Sequence, residues 1–348
     1  MKPRARGTAP LILSLCAFGA TELPPRSALA GDCSPRTAQS TCFDADQLWV
    51  PAAPSRFVGI PRASAGRRGT FTLGLDATYL SRPVVMLALS PDPAGRQVRV
   101  VDDVLDAALS GAWFPVEHLE LSLVVPAALF RTGTGETGVT TQTGPSLSAQ
   151  ALRDVRLGAA QDLVEKRVGK GTVAAGARLD LALPTGDEGA FAGERDPVLA
   201  PSFAGEIRWG RVYGAASLGA RLRRPVPLGG VRLGSQLVSM LGIGVGVLPE
   251  LDVAAEAWAL PTLLSQDRTL RDGVRVTDGA LVPAEWMLSV RLKSGPFQFQ
   301  GGFGTAIPLS GETRRSPTGV EATDHFAGVG TPRIRGVLIL RYAPDAAP

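Results

Sequence analysis

Residues 172–183 read Thr172-Val173-Ala174-Ala175-Gly176-Ala177-Arg178-Leu179-Asp180-Leu181-Ala182-Leu183. Val173, Ala175, Ala177, Leu179, Leu181 and Leu183 share one parity, while Thr172, Gly176, Arg178 and Asp180 share the other. Successive side chains of a strand point to opposite sides, so a period of two sustained this long marks an extended strand with one apolar and one polar face.

The same device recurs on both sides of this stretch. Leu119, Leu121, Leu123 and Val125 alternate with Glu120 and Ser122, and Val155, Leu157 and Ala159 with Asp154, Arg156 and Asp162. Val212, Ala216, Leu218 and Leu222 oppose Arg211, Tyr213, Arg221 and Arg223. Trp286, Leu288, Val290 and Leu292 oppose Glu285, Arg291 and Lys293, and Ile334, Leu338, Leu340 and Tyr342 oppose Arg333, Arg335 and Arg341. Twelve such segments can be drawn: 71–80, 100–113, 119–131, 152–164, 172–184, 199–209, 211–222, 234–248, 251–260, 283–293, 296–308 and 332–342. Most reach the roughly 9–11 residues that cross a bilayer as tilted strands, and an even number is the rule for bacterial barrels. Strands of soluble proteins average nearer 5–6 residues.

The connections alternate in type. Those around Pro115, Gly169, Gly210, Pro249 and Gly295 are tight, whereas 81–99, 132–150, 185–198, 261–281 and 309–330 are long and polar, with a shorter one near Leu228-Gly229-Gly230. Short turns at one end and long loops at the other are the two ends of an outer-membrane barrel. Phe71, Trp113, Trp209, Phe297 and Tyr342 fall at the tight-turn end; Tyr79, Phe130, Trp258 and Trp286 fall at the long-loop end. Amphipathic rings favour the headgroup region, so two aromatic girdles are expected. The fold class is therefore all-β: a transmembrane, antiparallel, up-and-down β-barrel of about 12 strands over residues 69–344.

Composition agrees. Hydrophobic residues make up 45% of the 348-residue chain, yet no run of eighteen apolar residues occurs, which argues against a helical span. The 41 glycines sit largely within alternating stretches, where they would weaken a helix by about 1 kcal/mol each. The net charge of +4 comes from scattered arginines without a basic cluster or base-stacking motif, so no nucleic-acid partner is expected.

Lys2, Arg4 and Arg6 precede an apolar run from Leu11 to Ala20, and Ala28-Leu29-Ala30 forms a small-x-small site before Gly31. Residues 1–30 thus read as a signal peptide. Leu15 precedes Cys16 where a lipoprotein signal wants a small residue. Cys33 and Cys42 then remain, and in an exported chain they are expected to form one disulfide. Residues 31–68 are rich in Pro, Arg, Ser and Ala without a period, and read as a periplasmic extension or a plug.

With the strands in place, three runs carry a resemblance: Ala151-Leu152-Arg153-Asp154-Val155-Arg156-Leu157-Gly158, Leu181-Ala182-Leu183-Pro184-Thr185-Gly186-Asp187, and Leu340-Arg341-Tyr342-Ala343-Pro344. On these the chain resembles a family of bacterial outer-membrane β-barrels that, in many relatives, precede an OmpA-like peptidoglycan-binding domain. The resemblance covers about residues 69–344 and implies a barrel without catalytic residues. No OmpA-like segment follows Pro344, so peptidoglycan anchoring is not expected, and the last aromatic, Tyr342, is not the final residue.

Chemistry-bearing motifs are few. Gly133-Thr134-Gly135-Glu136-Thr137-Gly138 matches GxGxxG, but Val139-Thr140-Thr141-Gln142-Thr143-Gly144-Pro145 follows where a dinucleotide site needs a helix. His325, Asp324 and Ser310 could in principle form a hydrolytic set, against a default of a solvated loop histidine. Asp187, Glu188, Glu194 and Asp196 lack the spacing of a calcium loop. No enzyme activity, cofactor or metal is expected.

The distinctive set is the inward-facing charges: Asp106, Asp154, Arg156, Asp162, Arg178, Asp180, Glu206, Arg208, Arg221, Asp252, Glu256, Glu285, Arg291, Arg333, Arg335 and Arg341. They would line a lumen that is either a hydrated path or a closed interior braced by ion pairs, because about twelve strands fall between filled and open barrels. The expectation is a monomeric outer-membrane barrel passing small polar solutes or ions, with a closed structural barrel and a surface hydrolase as alternatives. Its expected partners are outer-membrane lipids, lipopolysaccharide and the barrel-assembly machinery, with both termini periplasmic.

Overall fold

All twelve expected strands form. The computed structural model describes residues 40–64, 66–88, 96–135, 147–228, 231–263, 266–269, 275–278, 281–315, 321–326 and 329–344. The strands are β1 (Phe71–Ala88), β2 (Arg96–Val116), β3 (Leu119–Arg131), β4 (Arg156–Val168), β5 (Gly171–Ala182), β6 (Val198–Trp209), β7 (Val212–Arg221), β8 (Gln236–Gly246), β9 (Leu251–Ala259), β10 (Ala284–Ser294), β11 (Phe297–Ala306) and β12 (Ile334–Tyr342). Each pairs antiparallel with its sequence neighbours. β1 also pairs with β12, with Leu75 opposite Leu340, so the sheet closes and has no free edge.

The alternation predicts which way each side chain points. Outward residues stay exposed, among them Leu109, Phe203, Leu241 and Leu338, each more than 60% accessible. An apolar band of this extent around a soluble protein would drive association; in a bilayer it matches its solvent. Inward residues are buried and polar or small: Asp76, Asp106, Glu120, Glu256, Glu285, Arg291, Arg335 and Arg341 are each under 6% accessible. The tight turns carry left-handed glycines, Gly169, Gly210 and Gly295.

Three differences from the sequence reading stand out. β1 and β2 run on to Ala88 and Arg96, well into what reads as a long loop. A register shift near Arg82 and Pro83 bends this hairpin, and Val84, Val98, Val100 and Val101 pack with Phe43, Phe191, Leu233 and Leu281 at the long-loop end. The long connections also build pairings of their own: a hairpin of Val226–Leu228 with Val231–Leu233, and a four-stranded sheet from Gln266–Thr269, Arg275–Asp278, Ser310–Arg315 and Glu321–Phe326. Finally, Trp258 is buried rather than girdle-forming, because it shares the parity of Asp252 and Glu256. Of the other expected girdle rings, Phe71, Trp113, Trp209 and Phe297 are exposed at one end and Tyr79, Phe130 and Trp286 at the other, while Tyr342 is half-buried against Phe71 and Phe297.

The expected signal peptide and Cys33 lie outside the described residues. Cys42 is buried, with its Sγ 3.7 Å from Glu188 Oε2. The first described residues sit at the long-loop end, where the Phe43 and Phe191 rings meet edge to face at 5.3 Å.

Candidate functional site: the barrel lumen

From the long-loop end the chain descends through the barrel to the tight-turn end, where Gly69 N–H donates to the Phe114 carbonyl at 2.7 Å. Residues 40–64 form no helix or strand, so their backbone groups need other partners. The barrel wall supplies them. Glu256 accepts from the N–H groups of Val58 (2.7 Å) and Gly59 (2.9 Å), and Arg341 donates to Pro51 O at 2.9 Å. Gln298 donates to Ser55 O at 3.1 Å. Leu48, Phe57, Val58 and Ile60 pack on inward Tyr213, Met240, Trp258 and Met287. Inward glycines make room: a Cβ on Gly242 would strike the Phe57 ring, and one on Gly176 would lie 2.7 Å from Ala63 O.

Ion pairs pin the same segment. Arg153 donates to Asp44 at 2.8 Å, to Asp106 at 2.7 Å and to Asp46 at 3.3 Å. Arg335 joins Glu285 (2.7 Å) to Asp46 (2.8 Å). Arg56 reaches Glu206 at 3.3 Å and Asp252 at 3.9 Å, with its guanidinium 4.7 Å from the Tyr213 ring centroid. Wall-to-wall pairs add to these: Arg178 with Glu120 and Asp180, Arg291 with Asp252, and Arg341 with Asp76.

Most of the expected inward charges take part in this network, including Asp106, Arg178, Asp180, Glu206, Glu256, Glu285, Arg291, Arg335 and Arg341. Arg208 is 42% accessible at the tight-turn mouth, near Glu206 and Glu165. Asp162 accepts from His118 Nδ1 at 2.6 Å beside the β2–β3 turn. That hydrogen bond, with the carboxylate's charge, raises the pKa of the exposed His118 imidazole. One expectation is corrected: Arg333 is exposed and sits just before β12, outside the buried lining. Asp154 lies in a break in the strand at 153–155, yet it is buried and faces a cavity beside Arg153 and Arg156; it also caps a loop, accepting from the N–H groups of Thr185, Gly186 and Glu194.

That break also turns Arg153 inward, against its parity, which is why sequence alternation misses the network's hub. Asp44, Asp46 and Trp49 are missed for a different reason: the segment has no period to assign their faces. Asp76 and Glu120 do follow strand parity and could have been found from it, whereas Arg131 lies beyond a bulge in β3 that reverses the parity.

The loop acids are consumed singly. Glu194 pairs with Arg223 and Asp196 with Arg224, Asp187 accepts from Gly189 N–H, and no metal-binding cluster occurs among the described residues. Ser310 Oγ accepts from Val282 N–H at 3.0 Å. The register sets Gly311 opposite His325, whose side chain lies outside the described residues, as do residues 136–146 of the glycine-rich stretch.

Three cavities follow one wall of the lumen. The first, about 20 Å³, is bounded by Asp44, Arg153, Glu194 and Arg223, and shares Trp49, Arg156 and Arg221 with the second. The second, about 70 Å³, continues past Ser122, Arg178 and Ser217. The third, about 10 Å³, shares Pro61 and Arg178 with the second and ends near Asp162 and Ala204. A water needs roughly 10–15 Å³ of such space, so the middle cavity has room for several.

No family model and no curated protein matches the sequence. Among solved structures, an outer membrane channel from Pseudomonas putida F1 is similar over 81% of this chain and 97% of its own, at 12% identity and a TM-score of 0.52. The Ralstonia pickettii toluene transporter TbuX (11% identity, 80% of this chain, 90% of its own, TM-score 0.31) overlaps less well. So does a TodX mutant monoaromatic hydrocarbon channel (11% identity, 80% of this chain, 91% of its own, TM-score 0.38). This chain has the closed twelve-stranded fold of a bacterial outer-membrane β-barrel.

Proposed function

We propose that the protein is a passive outer-membrane channel for small polar solutes or ions, and not an enzyme, with residues 40–64 as an internal plug that narrows the lumen. The observation that carries this reading is the run of three cavities joined by shared residues along one wall, with charged groups throughout. The likeness to the Pseudomonas putida outer membrane channel supports it. In this reading the long-loop end faces the exterior, a signal peptide directs export, and Cys33 and Cys42 form a disulfide at the plug's outer end. The barrel is inserted as a monomer by the assembly machinery, among outer-membrane lipids and lipopolysaccharide. The finer kinship to barrels preceding OmpA-like domains rests only on short runs and adds no functional residue.

Ion flux through purified protein in a planar bilayer tests this. Small, reproducible conductance steps are expected, and protein that inserts without adding conductance would contradict the reading. The density of ion pairs between plug and wall favours the second reading, a closed structural barrel, and a silent membrane would support it.

A further inference from the structure

Most buried arginines of the lumen have a carboxylate within salt-bridge distance: Arg153, Arg178, Arg223, Arg291, Arg335 and Arg341. Arg156 on β4 and Arg221 on β7 have none among the described residues. Both instead lie against Trp49 of the plug, their guanidinium carbons 5.2 and 4.3 Å from its ring centroid. Arg221 is only 4% accessible, and Arg156 is half-buried. Both groups line the 70 Å³ cavity and its 20 Å³ neighbour. The acid of the larger cavity, Asp180, is already held through both oxygens by Arg178 Nε. Those of the smaller one are engaged too: Asp44 and Asp46 by Arg153 and Arg335, Glu194 by Arg223, and Asp154 by loop N–H groups.

A buried cation without a counter-charge is costly, and a cation–π contact returns only about 0.5–2 kcal/mol. Two such cations beside a cavity therefore call for a mobile anion. Guanidinium favours an oxygen pair, because its N–H groups form a planar fork that matches carboxylate or phosphate oxygens. The serine hydroxyls of Ser122 and Ser217 on the same cavity can complete the shell of a small oxyanion. A cavity of 70 Å³ suits an anion of a few heavy atoms and not a large organic acid.

We propose that Arg156, Arg221 and Trp49 form a binding site for a small oxyanion, a carboxylate or inorganic phosphate, at the narrow middle of the lumen. The solutes that pass are then preferentially anionic. The ion preference rests on the channel reading; the site itself does not.

Two readouts keep these apart. Acetate and inorganic phosphate are titrated separately into purified, folded protein while Trp fluorescence is followed. A saturable change is expected with at least one of them. It should vanish in Trp49→Phe and in Arg156→Gln/Arg221→Gln, and persist in Arg156→Lys/Arg221→Lys. In parallel, reversal potentials under a KCl gradient should show anion preference in the wild type and its loss in the glutamine variant. Heat-modifiable migration confirms that each variant folds. Absence of any fluorescence response, or one unchanged in the glutamine variant, overturns the site. An unchanged reversal potential overturns its part in selectivity. A fluorescence response without conductance leaves the site standing and removes the channel reading.

Discussion

Arg335 of β12 donates to Asp46 of the plug at 2.8 Å, with the arginine fully buried and the aspartate 5% accessible. The same carboxylate lies 3.3 Å from Arg153, which precedes β4 on another part of the wall. One plug residue thus ties two distant parts of the barrel wall together. Removing one member of a buried ion pair costs about 3–5 kcal/mol, because the partner charge is left uncompensated. Asp46→Asn should therefore loosen the plug while the barrel ladder persists. Faster hydrogen exchange over 44–60 with unchanged exchange in β1 and β12 is the expected pattern. Equal protection throughout would show that Asp46 does not hold the segment.

The glycine at 242 leaves the space in which the Phe57 ring sits, with Ile60 Cδ1 only 2.8 Å from a would-be Cβ. Gly242→Ala should overpack this contact by about 1–3 kcal/mol and displace the plug. Single-channel records of this variant should show larger or noisier steps than the wild type. Identical records would mean that the plug adjusts without moving.

Leu338 lies at the centre of β12, is 67% accessible and faces outward. If that face meets lipid, Leu338→Arg should destabilise the barrel by about 2–4 kcal/mol in reversible unfolding from vesicles. No loss of stability would place this wall in water.

His118 has φ of 70° in the β2–β3 turn and hydrogen-bonds Asp162 at 2.6 Å. Its pKa is raised in the folded protein, first through that hydrogen bond and then through the carboxylate's charge. The contact's contribution is therefore full below the ordinary imidazole pKa and is lost as pH rises through the raised one. NMR titration of His118 should give a midpoint above the usual histidine range, moving down in Asp162→Asn. Equal midpoints in the two proteins would remove the pair's role.

The strands were legible because lipid outside and polar groups inside impose a period of two on every one of them. Legibility failed wherever that period broke. The break at 153–155 reversed Arg153, and the start of β12 at Ile334 left Arg333 outside. The hairpin extension to Ala88 and Arg96 was hidden because its valines are buried beneath loops instead of facing lipid. The plug's contacts were the least legible. Arg335 and Asp46 are 289 residues apart, and irregular backbone offers no parity from which to infer a partner.

The central claim is that a conducting lumen exists and that residues 40–64 narrow it. Single-channel conductance of the intact protein beside a variant lacking those residues tests it most directly. The account predicts small steps from the intact protein and several-fold larger ones from the deletion variant, with both migrating as folded barrels. Silence from both would contradict it and leave a barrel that only spans the membrane.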